Sequence, residues 1–165
     1  MLVYRQLKKN DETKLYDLIS QIETSLQEPK FWLPINSVSK NHFFDEDWTY
    51  FLGLFDNDKL IGACALFFNK HEFGESLSHC DNVKMPLAEM GRGMILPEYR
   101  GKNYLYTIMV KLLEIAKQKN ITTLLATIHP QNIPSQRSAS KIGFKVKSQI
   151  IKYNDFIRDI LLLEL

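Results

Sequence analysis

The segment Ile95–Asn103 joins an apolar run to a polar loop with two cations, in the order Ile-Leu-Pro-Glu-Tyr-Arg-Gly-Lys-Asn. It predicts a strand that ends at Pro97, a short loop, and a helix that begins at about Tyr104. The first turn of a helix carries main-chain N–H groups that have no partner within the helix. These donors, with the positive end of the helix dipole, suit a phosphate or pyrophosphate. Arg100 and Lys102 add positive charge beside the loop, so we expect a phosphorylated cofactor here.

The size and composition of the chain are those of an ordinary globular protein. It has 165 residues, of which 45% are hydrophobic and 24% are charged, so we expect one domain over residues 1–165. The net charge is +2 and the basic residues are spread out, which argues against a nucleic-acid partner. No apolar run is long enough to span a bilayer, and the N-terminus lacks a signal-peptide pattern, so we expect a cytoplasmic protein without a membrane partner.

Neither the cysteines nor the histidines indicate a metal site. Cys64 and Cys80 do not have the spacing of metal ligands. The side chains of residues 71–81 include five that can bind metals, but their spacing fits no standard site, and we predict no metal: His71, Glu72, His79, Cys80 and Asp81.

Periodicity along the chain predicts an α/β protein with the element order β-α-α-β-β-β-α-β-α-β-β. The apolar runs typical of strands are residues 2–7, 50–55, 60–68, 88–96, 122–128, 144–151 and 156–163. Helical spacing recurs from Leu15 to Leu26, within 37–46, from Leu105 to Ala116, and within 134–142. Residues 69–87 are polar and contain Gly74 and Pro86, and we predict a long loop there, of the kind that is often functional; the alternative is a segment that is partly ordered.

Three features of the C-terminal half occur together. They are the strand, loop and helix of residues 95–106, the strand that follows, and the segment Asn132-Ile133-Pro134-Ser135 that leads to Lys141-Ile142-Gly143-Phe144. This combination resembles the GNAT superfamily, the acetyl-CoA-dependent N-acetyltransferases. The resemblance implies a single-domain GNAT-like fold, with a mixed central sheet of six to seven strands flanked by about four helices.

The loop departs from the family pattern Arg/Gln-x-x-Gly-x-Gly/Ala. Arg100 matches it, whereas Asn103 and Leu105 stand at the two glycine positions. Asparagine is the non-glycine residue best tolerated in the left-handed region, so Asn103 can keep the turn. Leu105 falls in the apolar stripe of Ile108 and Met109, so we expect its side chain to point into the core.

The resemblance implies acetyl-CoA as co-substrate and assigns residues to it. Met94 and Ile95 would offer main-chain bonds to the pantetheine arm, as an added strand does. Asn132, with Ser135 in the same segment, would lie near the thiol end, while Arg100 and Lys102 would screen the phosphate charge. Main-chain N–H groups would bind the pyrophosphate at six consecutive residues: Gly101, Lys102, Asn103, Tyr104, Leu105 and Tyr106.

The resemblance also points to Glu89 as the base that takes a proton from the amine, directly or through water. Strand alternation places Glu89 and Ile95 on the same face of the sheet unless a bulge intervenes. Partial burial would raise the pKa of the carboxyl toward neutral pH. The alternative is a solvated glutamate at the start of a strand.

The general acid is less clear from the sequence. The family often has a tyrosine four residues before the Gly-Phe pair, where this chain has Ala139. Tyr104 or Tyr106, His129 or water could take its place, and we include Tyr106 among the predicted catalytic residues. Protonation of the thiolate in solution, after release, is a further alternative.

The acceptor site is predicted in the variable parts of the chain, for a small-molecule or peptide amine. Its apolar walls would come from six aromatic residues, which could equally be core: Trp32, Phe43, Phe44, Trp48, Phe73 and Tyr153. Glu72, Glu75 and Asp81 could attract a cationic amine. A homodimer is left open, with the apolar run of residues 160–163 as its edge.

The second function considered is a non-catalytic acyl-CoA-binding sensor or assembly module.

Overall fold

Seven strands form one mixed sheet in the computed structural model, which describes residues 1–165. The strands are β1 (Leu2–Gln6), β2 (Thr49–Asp56), β3 (Lys59–Phe67), β4 (Leu87–Ile95), β5 (Thr123–Ile128), β6 (Lys145–Lys152) and β7 (Phe156–Glu164). Their order across the sheet is β1-β2-β3-β4-β5-β7-β6, and only the pair β4–β5 is parallel. The prediction of a mixed α/β sheet with six to seven strands is confirmed.

Five α-helices accompany the sheet: α1 (Glu12–Ser25), α2 (Ser37–Asn41), α3 (Lys70–Leu77), α4 (Tyr104–Gln118) and α5 (Ile133–Ile142). No helix combines the length and the hydrophobicity needed to cross a bilayer. Helix α3 lies inside residues 69–87, so the prediction of a continuous loop there is wrong and the alternative of a partly ordered segment is correct. The Asn69 side chain caps α3 by accepting a hydrogen bond from the His71 N–H (2.9 Å). Only Phe73 and Ser76 of this helix are buried, too few to give a visible apolar stripe.

Helix α3 packs on one face of the sheet, together with the segments before β2. Phe73 of α3 lies in a buried cluster with four strand residues: Leu87, Leu125, Ile150 and Ile160. Phe43, which follows α2, packs edge-on against Phe51, and Phe51 packs against Phe67. Phe67 pairs with Glu89, two residues from Leu87, so these aromatic rings share the α3 face.

Helices α4 and α5 pack together on the opposite face. Gln136 of α5 donates a hydrogen bond to Asp159 (3.1 Å), whose side chain points away from the face of Ile160. On α4, the buried residues Ile108, Met109, Leu112 and Ala116 repeat at helical spacing, as predicted.

Strands β4 and β5 separate shortly after they begin. They pair only from Leu87 to Glu89, opposite Thr123 to Leu125. Beyond that point β4 continues to Ile95 and β5 to Ile128 without pairing to each other. The separation opens a gap in the middle of the sheet, with main-chain groups of both strands along its sides.

A bulge in β4 changes which face its later residues occupy. Ala63 pairs with Met94 and Ala65 pairs with Gly91, so β4 has one residue more than β3 in this stretch. Arg92 sits at the bulge, with φ of 55° in the left-handed region. Glu89 therefore faces the α3 side, whereas Ile95, opposite Gly62, faces the other side. The expectation that Glu89 and Ile95 share a face is wrong, because the bulge at Arg92 interrupts the alternation between them.

Strand β7 is an interior strand of the sheet. It pairs with β5 on one side and with β6 on the other. The run of residues 160–163 therefore cannot form a dimer edge, because its main-chain groups are already paired. The edge strands are β1 and β6.

Candidate active site

The loop before α4 presents a row of free main-chain donors. Gly101 (φ 77°) and Asn103 (φ 59°) both adopt the left-handed conformation, as the turn requires. No main-chain N–H from residue 101 to residue 106 donates to another group of the protein, and helical bonding begins with Thr107 N–H to Asn103 O (3.0 Å). A Cβ atom placed on Gly101 would meet nothing within 4 Å. The donors thus face open space at the positive end of a 15-residue helix.

The Arg100 side chain has a different partner from the one predicted. Its Nε donates to the Ile95 carbonyl at 3.0 Å, which ties the loop to the end of β4. The Lys102 ammonium lies 5.7 Å from the centre of the Tyr99 ring. Both cations remain beside the free N–H groups, and the Ile95 carbonyl already accepts one hydrogen bond from the protein.

Of the two residues predicted to bond the pantetheine arm, only Ile95 faces the gap. Leu96 N–H donates to Ile61 O (2.9 Å) on β3. Because main-chain groups alternate in direction along a strand, those of Ile95 point toward the gap and those of Met94 toward β3. The prediction for Met94 is therefore not supported, and its side chain is fully buried.

Leu105 occupies the second glycine position of the loop pattern without closing the loop. Its side chain packs on the bulge of β4, where a Cβ atom on Gly93 would lie 3.0 Å from Leu105 Cδ1. The glycine in the strand makes the room that the leucine in the helix needs. Leu105 was expected to point into the core; it is half-buried and packs against the core cluster, and it also lines a cavity between β4 and β5.

A cavity of about 200 Å³ lies where β4 and β5 separate. Both faces of the sheet contribute to its walls, so it passes through the gap between the strands. Leu105 and Met109 of α4 and Asn132 and Ser135 at the start of α5 line it. The α3 face and the loops contribute Trp32, Glu72, Glu75, Glu89, Arg92, Lys152, Tyr153 and Arg158.

Glu89 is the enclosed acid of this cavity. Its Oε2 atom is shielded from solvent and has no hydrogen-bond partner. Burial raises the pKa of the Glu89 carboxyl from 4.5 to about 7, with a smaller upward contribution from Glu72, and Lys152 and Arg92 act in the opposite direction. A carboxyl with this pKa is present in both protonation states near neutral pH, so it can accept and release a proton there.

The sequence matches a known family over most of its length. A model of the acetyltransferase (GNAT) domain matches residues 2–145. The chain belongs to the GNAT acetyltransferase family. No curated protein matches the sequence.

Solved structures of GNAT proteins share the whole fold at low sequence identity. An N-acetyltransferase from Staphylococcus aureus Mu50 is 16% identical, with a TM-score of 0.73 over 99% of this chain and 97% of that one. The PaiA N-acetyltransferase from Thermoplasma acidophilum, solved with coenzyme A, is 18% identical, with a TM-score of 0.65 over 100% and 99%. The yncA protein from Salmonella typhimurium, solved with acetyl-CoA, is 15% identical, with a TM-score of 0.70 over 99% and 93%.

Of the side chains considered as general acid in this GNAT protein, only His129 lines the cavity. Tyr106 lies outside it, with the Lys141 ammonium 4.3 Å from the centre of its ring, and Tyr104 is not among the lining residues. The His129 Nδ1 atom accepts a hydrogen bond from Gln131 N–H (3.1 Å), which leaves the proton on Nε2. Burial, with the nearby Arg158 and Lys30, lowers the pKa of His129, so the ring is neutral at pH 7 and acts as a hydrogen-bond donor.

Two of the six predicted aromatic walls, Trp32 and Tyr153, line the cavity. Phe43 and Phe73 are core residues, and Trp48 stacks on His42 with ring centres 3.6 Å apart. Phe44 packs against the core from its edge. These four rings are thus correctly described by the alternative interpretation as core or packing residues.

Two of the three predicted carboxylates are at the cavity. Glu72 and Glu75 line it from α3, whereas Asp81 lies elsewhere. No group of three or more His, Cys, Asp and Glu side chains is arranged to hold a metal ion.

Sequence reasoning did not find the three lysine and arginine side chains of the cavity: Arg92, Lys152 and Arg158. Arg92 donates to the carbonyls of Leu33 and Pro34, the latter at 3.1 Å, and so holds the loop before α2. A signal was available for Arg158, because every second residue from Phe156 to Leu162 is apolar except this arginine. A charge on the buried face of a strand calls for a functional or structural explanation.

Proposed function

We propose that this protein transfers the acetyl group of acetyl-CoA to a primary amine by direct attack in a ternary complex. The observation that carries the proposal is the cavity between β4 and β5, which the first turn of α4 and the carboxyl of Glu89 both reach. Leu105 belongs to that first turn, so the turn that carries the free N–H groups borders the cavity that Glu89 lines. Family membership supports acetyl transfer, and the two related structures solved with coenzyme A and acetyl-CoA support the co-substrate.

The residues at the start of α4 fit a diphosphate. Their unpartnered N–H groups, the left-handed Gly101 and the open space beside it form a cradle that a side chain would otherwise fill. Lys102 and the free nitrogens of Arg100 would balance its charge, and Asn132 and Ser135 would hold the thiol end. Acetyl-CoA, as co-substrate, supplies the activated acetyl group, so that a carbon–nitrogen bond replaces a carbon–sulfur bond.

Glu89 would accept the proton that the amine loses. The Glu89 carboxyl lines the cavity, and its Oε2 atom has no partner in the protein, so an ammonium group in the cavity can bind the more accessible oxygen, Oε1, and transfer its proton. The raised pKa keeps the proton affinity of Glu89 near that needed at neutral pH. The cavity walls hold the amine beside the acyl group, and such positioning supplies about 7–11 kcal/mol in well-oriented cases.

The thiolate that leaves would take its proton from water. Ala139, at the position of the usual tyrosine, is the fully buried residue of α5 and carries no acidic group. The neutral His129 ring can donate a hydrogen bond to the site from Nε2 but holds that proton tightly.

An assay of thiol release against a panel of amines tests this function, with calorimetry of acetyl-CoA binding alongside. We expect acetyl-CoA to bind and at least one class of primary amine to be acetylated, with the product confirmed by mass. The buried Ala139 favours a second candidate, a non-catalytic acyl-CoA sensor. Tight binding of acetyl-CoA without turnover across the panel would support the sensor, and absence of binding would contradict both.

A further inference from the structure

The cavity contains three cations that the proposed transfer does not use. Arg92, Lys152 and Arg158 all line it, and none of them takes part in a salt bridge. The side chains of Lys152 and Arg158 are 5% and 1% exposed. A buried cation without an anionic partner is destabilising, so this arrangement needs an explanation.

The two arginines are explained in part by the loop before α2. Arg92 binds the carbonyls of Leu33 and Pro34, and Arg158 Nη2 binds the Lys30 carbonyl at 2.8 Å. Arg158 Nη1 binds the Ile157 carbonyl (2.7 Å), while its Nε donates to no protein group. Arg92 is thus committed to the loop, and Arg158 keeps a donor free.

Lys152 donates to no carbonyl in this way, although its positive charge lowers the pKa of the Glu89 carboxyl. Its side chain is buried, yet its ammonium makes no hydrogen bond with the protein. Lys152 and Arg158 extend from the same face of the β6–β7 hairpin, because Arg158 pairs with Ile150, two residues before Lys152. The hairpin therefore places a lysine and an arginine side by side at the cavity.

The cavity carries negative charge as well. Glu72 and Glu75 come from α3 and Glu89 from β4, so the carboxylates and the hairpin cations belong to different elements. A ligand that carries both an ammonium and an anionic group is complementary to this cavity, because its ammonium can face the carboxylates and its anionic group can face the hairpin cations. The volume of about 200 Å³ is below the usual range of about 300–1,000 Å³ for ligand pockets, which favours a small molecule.

We propose that the acceptor is a small amine that also carries a carboxylate, as an α-amino acid does, and that Lys152 and Arg158 bind this carboxylate. The proposal rests on the acetyl-transfer function stated above. The ammonium would then lie toward Glu89, with Glu72 and Glu75 nearby. The free Nε of Arg158 can donate to one carboxylate oxygen, and the Lys152 ammonium adds a compact charge beside it.

Matched pairs of acceptors test the proposal. Each pair is an amino acid and the amine that lacks only its carboxylate, such as leucine with isopentylamine or alanine with ethylamine. We expect kcat/KM for the preferred amino acid to exceed that of its partner by about 10- to 100-fold, the range of a hydrogen-bonded charge pair. Calorimetry should show the amino acid binding to the free protein and the amine binding at least about tenfold more weakly.

Variants at Lys152 test whether this residue causes the preference for the amino acid over the matched amine. Lys152→Met should lower the ratio of kcat/KM between amino acid and amine by at least about tenfold, mainly through KM of the amino acid, and Lys152→Arg should restore most of it. Lys147→Met, on the exposed part of the same strand, is the matched control and should leave the ratio unchanged.

Equal or better use of the amines that lack the carboxylate would overturn the proposal while leaving acetyl transfer intact. A preference for phosphorylated amines over the matched amino acids would overturn the assignment to a carboxylate. An unchanged ratio in Lys152→Met would remove Lys152 from the site. Failure to acetylate any amine would instead contradict the underlying function.

Discussion

The substitution Glu89→Gln removes the carboxyl proposed as base and keeps the size of the side chain. A positioned general base contributes about 10²- to 10⁴-fold to a rate, so we expect kcat to fall by that factor while acetyl-CoA affinity stays within about twofold. Turnover is followed by thiol release, and acetyl-CoA affinity by calorimetry. Glu114→Gln, at an exposed position of α4, serves as the control and should behave as the wild type.

The dependence of the rate on pH tests the same role of Glu89 quantitatively. With a pKa of about 7, Glu89 is about half ionised at pH 7 and about one tenth ionised at pH 6. Ionisation of this carboxyl alone should raise the wild-type rate about fivefold from pH 6 to pH 7 and less than about twofold from pH 7 to pH 8. The acceptor amine titrates equally in both proteins, so the ratio of wild type to Glu89→Gln isolates Glu89.

Stability provides a readout that does not depend on turnover. The folded state holds the Glu89 proton more tightly than the unfolded state, so the free energy of unfolding falls as pH rises from about 4.5 to about 7. At about 1.4 kcal/mol for each pKa unit, this amounts to roughly 3 kcal/mol. Relative to the wild type, Glu89→Gln should therefore gain up to about 3 kcal/mol between pH 5 and pH 8 in urea unfolding. Parallel stability curves, together with an unchanged rate profile, would refute the assignment of Glu89.

Three further substitutions test other parts of the site. Gly101→Pro removes an N–H and cannot adopt φ of 77°, so calorimetry should show coenzyme A affinity reduced by more than about tenfold, whereas Gly101→Ala keeps the N–H and should bind more tightly than the proline variant. Arg92→Met releases the Leu33 and Pro34 carbonyls and should raise KM for the acceptor by about tenfold, with a smaller change in KM for acetyl-CoA. Ala139→Tyr overfills a fully buried position and should destabilise the protein by about 1–3 kcal/mol in thermal unfolding, so it will not restore a catalytic acid.

The parts of the fold with strong periodicity were predictable from the sequence. The apolar runs of β2 and β3, the stripe of α4 and the turn at Asn103 all depend on local patterns, and the structure has each of them. Helix α3 was missed because a single aromatic residue, Phe73, anchors it. The place of β7 inside the sheet depends on pairing between distant segments, which an apolar run alone does not specify.

The sequence predicted the site residues whose type sets the local backbone conformation, such as Gly101 and Asn103. It did not predict those that reach the cavity through a bulge or through strand register. The bulge at Arg92 determines which residues face the cavity, and the flanking Gly91 and Gly93 were its only sign in the sequence. Lys152 and Arg158 lie among apolar residues of the β6–β7 hairpin. Only the register of that hairpin places both side chains at the cavity that Glu89 also lines. Tyr106 was proposed from its place at the helix start, but its ring faces Lys141.

The central claim is that the main-chain N–H groups at the start of α4 hold the diphosphate of coenzyme A. Titration of the ¹⁵N-labelled protein with coenzyme A, followed through its amide resonances, tests this claim most directly. We predict that the largest downfield shifts, and new protection from hydrogen exchange, will occur at the amides from Gly101 to Tyr106. If these amides stay unchanged at saturation while others shift, the coenzyme lies elsewhere and the account of the site is wrong.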